Sequence, residues 1–115
     1  MFCVWSSISI TKIIDLFLDM IGKIHDYLGQ KIFACCDIEL LDTKIVFNDV
    51  TIHINSSFYG KEKIDEDQIL SFVLEADQIN VFGKKICDFL LSKKIITKEN
   101  IIYFNKTPHA QIYKI

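Results

Sequence analysis

Apolar residues recur at helical spacing from Ser9 to Gly29 more regularly than anywhere else in the chain. At 100° per residue, Lys12, Asp15, Asp19, Lys23 and Asp26 gather on one narrow stripe, and Ile10, Ile13, Ile14, Phe17, Leu18, Ile21, Ile24 and Leu28 face the other way. With Leu16, Met20 and Tyr27 at its flanks, the apolar arc spans roughly 200°, against roughly 100° for a helix lying on a surface. The spacing therefore predicts a central helix with other elements packed on more than one side. Ser9 is placed to cap it, Ile8 and Ile13 to staple its start, and Gly29 to end it in the left-handed conformation.

Ahead of that helix, Phe2, Val4 and Trp5 form a short apolar lead that suits an edge strand or an arm; residues 31–41 fit either a helical turn or a strand. From Thr43 the period changes to two. Residues 44–55 predict a β-hairpin turning at Asn48-Asp49, with its Val/Ile side on the central helix and Thr51, His53 and Asn55 toward water. Residues 56–63 follow as a loop bent at Gly60. Asp65 opens the next helix, because Gln68 stands at the capping-box position and Ile64 can staple to Ile69; Ile69, Leu70, Phe72, Val73 and Ala76 form its buried face. Asp77 or Asn80 is placed to cap a further helix through Ile79, Phe82, Ile86, Phe89 and Leu90, with Lys93 and Lys94 in its last turn. Ile101 to Phe104 and Gln111 to Ile115 then predict a second hairpin, with Pro108 in its turn. The expected architecture is a single α+β domain over residues 1–115: a central amphipathic helix packed by β-hairpins and two further helices, in the order α-β-β-α-α-β-β.

Composition narrows the classes. A chain of 115 residues that is 50% hydrophobic has one core and is not disordered. Its mean hydropathy of +0.27 raises the question of a membrane, yet charges interrupt every window of about 18 residues. Residues 1–10 carry no basic residue and no cleavage pattern, so the expected location is the cytoplasm. The surplus of apolar residues then belongs to a full core, a partner-binding face or contact with a second copy. Cys3, Cys35, Cys36 and Cys87 lack disulfide or CxxC spacing and are expected as buried free thiols. His25, His53 and His109 are scattered, no phosphate-binding glycine loop occurs, and Asp65-Glu66-Asp67 is explained by the helix start. No metal, cofactor, small-molecule substrate or catalytic activity is expected.

Charge is unevenly spread. Residues 1–77 hold 6 Lys against 13 acids, a net of −7; residues 78–115 hold 7 Lys against 2 acids, a net of +5, and the two sum to −2. The basic third, two helices and a hairpin with Lys84, Lys85, Lys93, Lys94, Lys98 and Lys106, resembles the second half of a winged-helix domain in arrangement. That resemblance implies nucleic-acid binding as the alternative function. The absence of arginine weighs against it, because the bidentate fork that reads guanine is missing. A small chain that is acidic over two thirds of its length, apolar for its size and without a catalytic constellation resembles toxin immunity proteins of bacterial competition systems in composition. That implies a non-catalytic inhibitor that covers a basic toxin domain, such as a nuclease, by complementary charge around an apolar centre. The acids outside helix starts, Asp37, Glu39, Asp42, Asp49, Glu62 and Glu75, are the candidate partner-binding residues; their bland alternative is solubility.

Overall fold

From Met20 onward, successive side chains point to opposite sides of a sheet, and at Met20 and Ile21 both sides are apolar and buried. The computed structural model describes residues 20–114. Its strands are β1 (Met20–Tyr27), β2 (Gln30–Asp37), β3 (Thr43–Phe47), β4 (Val50–Ile54), β5 (Lys63–Ile64), β6 (Gln78–Phe82), β7 (Ile101–Phe104) and β8 (Thr107–Tyr113). Its α-helices are α1 (Ser56–Tyr59), α2 (Glu66–Glu75) and α3 (Lys84–Ser92). One six-stranded mixed sheet has the order β5-β1-β2-β6-β8-β7, and β3-β4 forms a separate two-stranded sheet. All its pairings are antiparallel except β2 with β6, which is parallel. The chain crosses between those two strands through β3, β4, α1, β5 and α2.

This overturns the helix-centred α+β architecture. The described residues are 46% strand and 31% helix, and the sheet, not a helix, organises the core. Residues 9–19 of the expected central helix lie outside the described residues, as does the apolar lead before it; residues 20–27 are strand β1. The physical reason is burial on both faces. Met20 and Ile24 belong to one core and Ile21 to the other, so apolar positions crowd together and imitate a wide helical arc. Leu28 (φ 55°) and Gly29 (φ 87°) form the two-residue turn into β2, both at positive φ as a type I′ turn requires, and Asp26 Oδ1 accepts from the Gly29 N–H at 3.0 Å.

The expected helix start at Asp77 or Asn80 is also corrected. Residues 78–82 are β6, in which Ile79 and Val81 share one face, and α3 begins only after Gly83 at φ 123°. Pro108 lies within β8 opposite Tyr103, not in the turn, which is made by Asn105 and Lys106. Three local expectations match the structure. The β3–β4 hairpin turns at Asn48 (φ 48°) and Asp49 (φ 67°), Asp65 and Gln68 make a reciprocal capping box, and Gly60 bends the chain at φ 87°. The hairpin packs on the main sheet, where its Ile54 joins Ile21, Ala34, Cys36 and Phe82.

Two cores sandwich the sheet. On one side Met20, Phe33, Cys35, Ile79, Val81 and Ala110 meet Ile69 and Val73 of α2 and Ile86 and Leu90 of α3. On the other, Ile21, Ala34, Cys36 and Phe82 meet Ile54 and Tyr59 from the hairpin and α1. β2 lies between them and is buried continuously from Phe33 to Asp37.

Candidate functional site

The six acids proposed for partner binding do not share one surface. Asp37 is 3% exposed, and its carboxylate accepts the Lys85 and Ile86 N–H groups, each at 2.9 Å. It therefore caps the start of α3 from the end of a neighbouring strand, at the positive pole of the helix. A Cβ on Gly83 would overlap that carboxyl group, so the glycine makes room for it. Burial pushes the Asp37 pKa up, against the lowering effect of the two N–H groups. Glu39 is exposed and pairs with Lys85 at 3.4 Å. Asp42 (φ 62°) accepts the Ser56 N–H at 3.2 Å, and Asp49 sits at the hairpin tip. Glu62 adjoins the edge of β1, and Glu75 pairs with Lys31 at the opposite end of β2 from Asp37.

The lysines of the winged-helix reading divide as well. α3 runs from the end of the sheet where β6 finishes back to the end where β7 starts. Lys84 and Lys85 begin it and Lys106 lies in the β7–β8 turn at the same end; Lys93, Lys94 and Lys98 lie at the other. The β7–β8 hairpin is part of the main sheet and no wing projects.

Two places combine access with definite chemistry. The first is the outer edge of β1. β5 covers only Met20 and Ile21, and the Gly22 N–H points outward to the Glu62 carbonyl at 3.3 Å. Alternation makes the backbone groups of Ile24 and Asp26 point the same way, where among the described residues no strand pairs with them. Beside this edge lies a cleft of about 550 Å³. Ile24, Ile64 and Phe72 give it an apolar floor, and Lys23, Lys61, Glu62 and Gln68 give it a polar rim. Gly22 makes room for Ile64, whose side chain fills the space that a Cβ there would take.

The second is the sheet face beside α1. The Tyr59 hydroxyl donates to Asn80 Oδ1 at 2.7 Å, and Tyr59 itself is 5% exposed. His109 faces the Val81 carbonyl through Nδ1 at 2.8 Å and packs against Phe82 with centroids 4.2 Å apart. Burial lowers the His109 pKa below its ordinary value, so the ring is neutral at pH 7 with its proton on Nδ1. Gln111 pairs with Asn80 in register and lies two residues from His109 on the same strand face.

Sequence patterning did not single out Tyr59, Asn80, Gln111 or the β1 edge. They come together only through strand register, and Asn80 looked like a helix cap. The described cysteines, Cys35, Cys36 and Cys87, are buried free thiols; burial pushes Cys36 and Cys87 up to about 12 and Cys35 well above its ordinary value, which keeps them protonated. Among the described residues no group of three or more His, Cys, Asp or Glu side chains is placed to hold a metal. No described helix is long and apolar enough to cross a membrane.

The fold has a solved counterpart. An uncharacterized conserved protein from Methanopyrus kandleri, known from its crystal structure, superposes with a TM-score of 0.73 at 24% identity. The match covers 84% of this chain and 92% of that one, and it bears on the fold alone. No curated protein matches the sequence. Residues 25–115, running from the open edge of β1 to the last residue, match the family described as protein of unknown function (DUF424), and the chain belongs to that family.

Proposed function

We propose that the protein is a non-catalytic protein-binding module that captures an extended segment of its partner as an added strand on β1. The observation that carries this reading is the outward backbone of Ile24 and Asp26 standing beside a preformed cleft. An open edge offers main-chain hydrogen bonds to any extended chain, and adjacent pockets select side chains at alternate positions. One set of alternate positions would meet Ile24, Ile64 and Phe72; the other would meet Lys23 and Lys61. The segment that fits alternates apolar and acidic residues. With Lys23 and Lys61 against Glu62 the cleft lining is positive by one charge, so the captured segment is acidic, unlike the basic target expected from overall composition.

The test is titration with an alternating Leu/Asp heptapeptide and its Leu/Lys counterpart, read by amide exchange. Binding of the acidic peptide with slowed exchange at Ile24 and Asp26 is the expected result. Ile24→Pro removes an outward N–H while leaving the ladder to β2 intact, and should abolish binding without unfolding the chain. Exchange at these amides that slows with protein concentration alone makes a second copy the occupant. Unchanged exchange with every peptide rejects the proposal.

A further inference from the structure

We infer that the sheet face around His109 is a binding site for a neutral planar heterocycle of the nucleobase kind, independent of the β1 edge. Three side chains here are already oriented by bonds to the protein, and each leaves a defined group free. His109 uses Nδ1 on the Val81 carbonyl, so Nε2 presents a lone pair as acceptor. Asn80 uses Oδ1 on the Tyr59 hydroxyl, so its NH₂ remains to donate. Gln111 donates through Nε2 to the Tyr113 hydroxyl at 2.7 Å, so Oε1 remains to accept. Among the described residues no fully buried side-chain polar atom lacks a partner, and Asn80 and His109 are each half-buried, so their unbonded groups keep some contact with solvent.

Register places these groups together. Asn80 is directly opposite Gln111, and Phe82 is opposite His109, which puts Asn80 and His109 on the diagonal of the same β6–β8 pair. Tyr113, 66% exposed, adds an aromatic face two positions beyond Gln111. The chain is 24% charged, yet every position of β2, β6, β7 and β8 that shares this face, from Ile32 across to Ile102, is uncharged. A neutral array of fixed acceptors and donors beside aromatic rings recognises a ring edge that carries both a donor and an acceptor. It gives no purchase to a phosphate or carboxylate. A base in a single strand and a free nucleoside present the same edge, and a sheet face open at Gln111, Tyr113 and Ile102 suits both.

The experiment titrates the full chain with adenosine, guanosine, cytidine and uridine, with ribose 5-phosphate as the sugar-phosphate control and single-stranded RNA hexamers as a further arm. It follows the His109 ring nitrogens and the Asn80 side-chain amide by NMR. At least one nucleoside should shift His109 Nε2 and the Asn80 NH₂, and ribose 5-phosphate should shift neither. Gln111→Leu, at an exposed position, should weaken binding about tenfold or more while leaving the melting temperature unchanged. Hexamers that bind more tightly than nucleosides, through the same resonances, identify a strand as the source of the base; equal affinities identify a free nucleoside. Absence of shifts at His109 and Asn80 with all nucleosides and hexamers overturns the inference, as does binding that Gln111→Leu leaves intact.

Discussion

A carboxylate with only 3% of its surface exposed must find donors or lose its charge, and Asp37 finds two backbone N–H groups at the start of α3. Asp37→Ala should cost about 1–3 kcal/mol in chemical denaturation, because both donors are left without their cap. Gly83→Ala should be at least as damaging, since φ is 123° and the new Cβ meets the same carboxyl group. Asp42, expected as an exposed partner-binding acid, accepts the Ser56 N–H. Asp42→Lys should lower stability by about 1 kcal/mol, whereas Glu62→Lys should change it by less than about 0.5 kcal/mol. His109 carries the pH dependence of this region. Burial lowers its pKa below 6.5, so the unfolded chain takes up the proton first as the pH falls. Its contribution to stability is complete above pH 6.5 and is lost as the pH drops through the lowered folded value. Urea denaturation at a series of pH values should show that slope in the wild type and not in His109→Gln.

Hairpins are the elements in which local chemistry and tertiary demand agree least evenly. The β3–β4 turn uses Asn48-Asp49, residues that tolerate positive φ, and it was evident from the sequence. The β1–β2 turn places Leu28 at φ 55°, with 96% of its surface exposed, where an unbranched polar residue costs less. Leu28→Asn should raise stability by about 0.5–1 kcal/mol and the melting temperature by a few degrees. Gly29→Ala should lower it by about 1 kcal/mol through backbone strain alone, because nothing lies within 4 Å of the added Cβ. β1 itself is tested by Ile21→Asp. The residue is 2% exposed between β2 and β5, so the change should cost several kcal/mol and leave little folded protein.

For the whole molecule, charge on the chain does not translate into charge on a face. Among the described residues, the six candidate acids are divided among a helix cap, a hairpin tip, a sheet edge and both ends of β2. The lysines from 84 to 106 are divided between the two ends of the sheet rather than gathered on one element. Duplex DNA titrations at rising salt should accordingly show no steep loss of affinity, and Lys93→Glu with Lys94→Glu should change little; a sub-micromolar complex at physiological ionic strength would refute this distribution argument.

What the sequence determined by itself is what lies within a few residues. The Asp65/Gln68 capping box, the Asn48-Asp49 turn and the Gly60 bend all follow from local hydrogen bonding and φ preference, whereas the closing hairpin was expected with Pro108 in its turn and has it in β8. Strand β1 was not legible, because Met20 and Ile21 are buried on opposite faces and its more exposed second half mixes polar and apolar residues without strict alternation. The parallel pairing of β2 with β6, across a crossover of forty residues between Asp37 and Gln78, has no local signature at all. That pairing brings Asp37 to α3 and Asn80 beneath Tyr59. These sites consist of groups that meet through register across the sheet rather than through proximity in the chain.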